Sequence, residues 1–100
     1  MADEEYPGQT LVTTDHDEIR RWAEDRGATP ARAPGSEYGD HLGRLRLDFP
    51  GYGGENLEPV SWEDWLSTFD KRDLEFVYQE HRKQGNESNF FRLRQREGGR

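Results

Sequence analysis

The chain of 100 residues has no cysteine, a single methionine, and only two lysines, Lys71 and Lys83, among its 14 basic side chains. The missing cysteines exclude a disulfide framework and any thiolate-bound zinc. No stretch approaches the roughly 20 apolar residues that span a bilayer. The opening segment MADEEYPGQT is acidic and holds no apolar run, so no secretory leader is expected and a cytoplasmic location is. No Gly-x-Ser-x-Gly elbow, phosphate loop or dinucleotide fingerprint is present; Gly51 and Gly53-Gly54 lie in a turn that no Gly-Lys-Ser/Thr follows. Apolar residues are scarce too, at 30% against 35% charged. That composition approaches the disordered regime. Three Trp, four Tyr and five Phe oppose disorder, because each large ring removes much area from water.

The net charge of −7 argues against a generic polyanion binder. The charge is uneven, however. Residues 1–80 hold 19 acidic and 8 basic side chains, whereas residues 81–100 hold 2 acidic and 6 basic. Many carboxylates with few lysines suit a high-salt cytoplasm; a GC-rich genome that encodes Arg over Lys yields the same composition.

One layout occurs twice along the chain. Thr14 to Phe49 reads as a capped helix and two strands, and Ser61 to Leu93 reads the same way. In the first helix Asp15 and Glu18 have capping-box spacing, and Ile19, Trp22, Ala23 and the stem of Arg26 form one face. Gly27 is a natural left-handed stop. Thr29 to Ala33 is extended, with Pro30 marking an edge strand or a strand's first residue. Arg44 to Phe49 alternates, with Leu45, Leu47 and Phe49 turned to the core. Ser61 caps the second helix, whose apolar face is Trp62, Trp65, Leu66 and Phe69. Asp70 to Asp73 is its exit turn. Leu74 to Gln79 and Ser88 to Gln95 alternate as strands around a Gly85-Asn86 turn.

The order is therefore α-β-β-α-β-β. The fold class expected is α+β, with two helices on one face of a three- to four-stranded, mainly antiparallel sheet. Residues 1–12 are expected as a disordered or loosely packed tail, 13–96 as a single domain, and 97–100 as a frayed end. Each half is too small to bury its own apolar face, so both are expected to share one core, with Trp22 and Trp65 in the same seam.

Catalytic constellations are not evident. Asp15, His16, Asp17 and Glu18 crowd one helical turn, but metal ligands on a helix should lie three or four residues apart. Capping and the helix dipole account for these residues. His41 and His81 fall in unrelated loops. For acid/base chemistry Asp48 ends a strand and Glu63 or Asp64 opens a helix, and a hydrolase would use Asp48 or the Asp15–Glu18 cluster; all are expected to be solvated, without the raised pKa that acid catalysis needs. No metal, no cofactor and no enzymatic activity are expected.

A binding surface is the stronger option. Arg92, Arg94 and, if the strand extends, Arg96 share a face with Phe90, while Arg44 and Arg46 project from the outer face of their strand. Guanidinium planes and an aromatic ring on a sheet suit single-stranded nucleic acid or other anions. The competing reading is a solvated face on which Glu75, Gln79 and Asp48 pair the arginines across strands. The expected ligand is an acidic protein segment or single-stranded nucleic acid, the latter opposed by net charge. Arg44, Arg46, Phe90, Arg92 and Arg94 are the expected contacts. Membrane partners are not expected.

Thr14–Gly35 (TDHDEIRRWAEDRGATPARAPG) and Leu45–Glu80 (LRLDFPGYGGENLEPVSWEDWLSTFDKRDLEFVYQE), running on to SNFFRL (Ser88–Leu93), carry a resemblance. They resemble a family of small, stand-alone bacterial proteins whose members often bear the label "1,4-alpha-glucan branching enzyme". The resemblance spans most of residues 13–95 and implies no assigned catalytic positions. Branching enzymes themselves resemble large α/β-barrel glycosidases, and such a barrel takes about 250 residues. The label keeps a second reading open, a carbohydrate-associated protein with an exposed Trp, Trp62 foremost, stacked on sugar. The Ser36–Leu42 loop is longer than the family pattern.

Overall fold

Two side-chain oxygens set where the helices begin. Asp15 accepts from the backbone N–H of Asp17 at 2.8 Å and of Glu18 at 3.1 Å, and Ser61 accepts from that of Asp64 at 3.0 Å. The computed structural model describes residues 8–35, 42–51, 56–82 and 85–96. The expected tail over 1–7, the 36–41 loop with His41, turn residues 52–55, hairpin residues 83–84 and the end over 97–100 lie outside the described residues. In chain order the elements are β1 (Leu11–Thr13), α1 (His16–Asp25), β2 (Thr29–Arg32), β3 (Leu45–Asp48), β4 (Glu58–Pro59), α2 (Trp62–Lys71), β5 (Leu74–Tyr78) and β6 (Phe91–Gln95).

The capping box of α1 closes indirectly. Asp15 N–H donates to the Thr13 hydroxyl oxygen at 3.0 Å, and that hydroxyl donates to the Glu18 carboxylate. Thr13 therefore belongs to the cap as well as to β1. Both helices end alike. Arg26 and Arg72 are the C-caps, and the next residues, Gly27 and Asp73, have φ of 72° and 57°. Glycine meets that left-handed requirement without strain; Asp73 meets it with a short polar side chain.

The class is α+β, but the single expected sheet is two sheets of three antiparallel strands each, ordered β1-β5-β6 and β3-β2-β4. Two strands absent from the sequence reading account for the difference. β1 takes Leu11 and Val12 out of the expected tail and pairs them with Tyr78 and Val77. β4 is only two residues long and sets Glu58 and Pro59 beside Arg32 and Ala31. Neither is long enough to display an alternation. Pro30, expected on an edge strand or as a strand's first residue, is the second residue of the central strand β2. Its carbonyl accepts from Val60 N–H at 3.1 Å, and its missing N–H falls where β4 ends, so little of the ladder is lost. The last strand begins at Phe91 rather than Ser88, because the Ser88 hydroxyl bonds Gln79 and Phe90 N–H instead.

The duplicated layout is thus β-α-β-β twice, and the first strands are exchanged. β1 of the first unit lies in the sheet of the second, and β4 of the second lies in the sheet of the first. One constant offset in residue number carries Asp15 to Ser61, Arg26 to Arg72 and Gly27 to Asp73. The same offset superposes the β2–β3 register on that of β5–β6.

Helix anchoring is exchanged as well. The Trp22 indole of α1 donates to Gln79 O at 2.8 Å, while the Trp65 indole of α2 donates to Arg46 O at 2.9 Å. Ile19, Trp22, Ala23, Leu45, Leu47, Trp65, Leu66, Phe69, Phe76 and Tyr78 then form one core from both helices and both sheets, with Trp22 and Trp65 in the same cluster. Each such large side chain, fully buried, contributes about 1.5–3 kcal/mol. No helix among the described residues is long and apolar enough to cross a membrane.

Candidate functional site

β3 and β6 are each the outermost strand of their own sheet. Between them lies a cavity of about 490 Å³. Leu45, Leu74, Phe91 and Leu93 supply its apolar lining, and the arginines Arg44, Arg46, Arg72 and Arg92 line it as well. The sequence expectation placed both arginine-bearing strands in one sheet. They are in two, yet Arg44, Arg46 and Arg92 line the same space.

The other two expected contacts stand apart. Arg94 pairs with Glu75 directly across the β5–β6 ladder through Nε, and Glu75 is 8% exposed. This is the cross-strand pairing named as the competing reading, realised at Arg94. Phe90 is 44% exposed but outside the cavity lining. Its backbone joins Gln79 N–H and the Ser88 hydroxyl.

Arg72 is the cavity residue that sequence reasoning missed, having been read only as part of the α2 exit turn. Its guanidinium donates to Gly43 O at 2.6 Å, so a carbonyl rather than a carboxylate holds it. A signal existed, since the offset between the units aligns Arg72 with Arg26, and both reach backbone in the other unit. Arg92 is exposed and engages no carboxylate among the described residues.

Further arginines are structural. Arg96 reaches Leu74 O at 2.7 Å, Asp70 at 3.1 Å and Asp73 at 3.5 Å. Arg32 pairs with Glu58 at 3.0 Å. Arg26 is the most enclosed, donating to Ser88 O at 2.6 Å, Trp22 O at 3.0 Å and Glu80 O at 2.9 Å while lying 4.3 Å from the Trp22 ring centre.

In the acidic turn of α1, His16 Nε2 lies 2.9 Å from Asp70 of α2, so it ties the two helices together. Among the described residues no group of three or more His, Asp or Glu side chains is arranged to hold a metal. Asp48 is exposed at the end of β3. Trp22 and Trp65 are buried in the core, and Trp62 packs edge-on against Trp65 at 5.6 Å. Chemically, the β3–β6 cavity can neutralise negative charge above an apolar floor. No protein-family model matches the chain, and neither a curated protein nor a solved structure matches it.

Proposed function

We propose that this protein is a non-enzymatic binding module that holds an acidic segment of a partner protein in the cavity between β3 and β6. The observation that carries the reading is the convergence of Arg44, Arg46, Arg72 and Arg92 on one apolar-floored space, in a chain whose net charge is −7. Two of these guanidiniums, Arg72 and Arg92, engage no carboxylate among the described residues. Local positive potential within an acidic surface selects short acidic stretches and repels long polyanions.

Single-stranded nucleic acid fits less well. A nucleic-acid platform needs open rings on which bases stack; among the described residues Phe90 is exposed but outside the cavity, and Phe91 in the cavity lining is packed against Trp22, Phe49 and Phe76. A glucan reading needs a free indole face; the core takes up Trp22 and Trp65, and Trp62 is half-buried against that core with its ring edge-on to Trp65.

The test is anisotropy with a labelled hepta-glutamate peptide, run beside an oligothymidylate and a maltoheptaose. The peptide should bind, and its affinity should fall steeply with added salt. Arg92→Glu should remove binding without changing the melting temperature. Arg94→Glu, by contrast, faces Glu75 with a second carboxylate and should lower stability by about 3 kcal/mol. Equal peptide affinity in the parent and the Arg92→Glu protein would end the reading.

A further inference from the structure

The hydrogen-bond phase of β6 bears on how an occupant sits in the cavity. Gln79 N–H donates to Phe90 O at 3.2 Å, and Arg96 N–H donates to Asp73 O at 2.9 Å. In an antiparallel ladder such bonded pairs alternate. Arg92 and Arg94 are therefore bonded to β5, while the N–H and C=O of Phe91 and Leu93 point away from it. Among the described residues β6 pairs with no strand on that side. The same phase holds in β3, where Ala33 N–H donates to Arg44 O at 2.9 Å. Two open strand edges thus border one cavity.

Open edges are commonly guarded by charge against self-pairing. Here the charged residues lining the cavity are all arginines. A second copy would bring arginine against arginine, whereas a carboxylate-bearing strand meets Arg92 and Arg72, which engage no carboxylate among the described residues.

We infer that the partner segment binds as an added strand on the β6 edge, and that it is an extended stretch alternating apolar and acidic residues. This rests on the binding reading above and goes further, because it names the backbone contacts and the sequence pattern of the partner. Side chains of an added strand alternate between the two faces of the sheet. Those level with Phe91 and Leu93 face the apolar lining and should be Val, Ile or Leu. Those on the face of Arg92 should be Glu or Asp. Main-chain bonds to Phe91 and Leu93 supply affinity that does not depend on side chains, and the alternation supplies selectivity. Arg44 and Arg46 form the opposite wall.

The probe is an N-acetylated peptide alternating Val and Glu over seven residues, compared with hepta-glutamate and with a Val/Lys counterpart. The Val/Glu peptide should bind about tenfold tighter than hepta-glutamate, and the Val/Lys peptide should not bind. Amide exchange followed by NMR gives the decisive readout. The Phe91 and Leu93 amides should exchange fast in the free protein and become protected with the Val/Glu peptide. N-methylating the peptide at alternate residues should weaken binding at least about tenfold in one register and little in the other.

Binding of hepta-glutamate that Arg92→Glu removes, with Phe91 and Leu93 unchanged in exchange, would overturn strand addition and leave the binding reading standing. Protection confined to Leu45 and Leu47 would overturn the choice of β6. A dimer in light scattering that protects Phe91 and Leu93 without peptide would replace the partner by a second copy. Failure of both acidic peptides to bind would remove both proposals.

Discussion

Arg26 shows how one residue can hold distant parts of a small fold together. Its side chain is 2% exposed and bonds three backbone carbonyls, two of them in the second unit. The guanidinium suits this task because its planar fork serves several acceptors at once and stacks on a ring. Arg26→Ala should cost about 3 kcal/mol or more in urea unfolding, because carbonyls of Ser88 and Glu80 lose a charged donor. Arg26→Lys should recover little of that loss. A cost below about 1 kcal/mol would mean that water replaces the guanidinium at those carbonyls. Helical spacing in the sequence puts the stem of Arg26 on the apolar face. The destination of its head was not legible, since Ser88 lies 62 positions away and local pattern carries no information at that range. For Arg94 the sequence went one step further, offering Glu75, Gln79 and Asp48 together as cross-strand partners of the arginines, and the β5–β6 register then selected Glu75.

At the scale of elements, both helices carry explicit start and stop chemistry, and both starts and the Gly27 stop are readable from residue type. The two stops use different residues for the same backbone state. A Cβ on Gly27 would adopt a left-handed φ of 72° and sit 3.3 Å from the Pro50 ring. Gly27→Ala should therefore destabilise by about 1 kcal/mol or more. Asp73→Gly relieves the left-handed strain while losing an exposed pair with Arg96, worth well under about 1 kcal/mol, so the two effects nearly cancel. Thermal unfolding of both variants should place Asp73→Gly clearly above Gly27→Ala. The opposite order would show that the backbone conformation at these exits does not control stability. The strands divide by length. β3, β5 and β6 are long enough for two-residue alternation to reveal them. β1 and β4 exist because a neighbouring strand offers open ladder groups, which no property of three or two residues predicts.

For the whole molecule, the exchange of β1 and β4 makes each unit incomplete without the other. The core draws on both helices and both sheets, and the helix anchors Trp22, Trp65, Arg26 and Arg72 all cross between units. A fragment ending at Gly54 and one beginning at Glu55 should each be unfolded alone by circular dichroism. Mixed in equal amounts, they should regain helix signal and dispersed amide resonances, with a concentration-dependent melting temperature. A stable fold of either fragment by itself would contradict the exchanged arrangement. The same arrangement creates the candidate site, because β3 and β6 are corresponding strands of the two units and their open edges face a common cavity.

The chain by itself determined the α+β class, both helix starts, the hairpin strands, the aromatic core residues and the absence of familiar catalytic motifs. These follow from short-range chemistry: caps within one turn, apolar spacing of two or 3.6 residues, and ring area that must leave water. Tertiary structure alone decided that there are two sheets, that first strands are exchanged, that Arg94 is taken by Glu75, and that Arg72 joins Arg44, Arg46 and Arg92. Those outcomes depend on which open ladder edge and which carbonyl lie near after the shared core has closed. That proximity is a property of the packed chain and leaves no trace in local pattern.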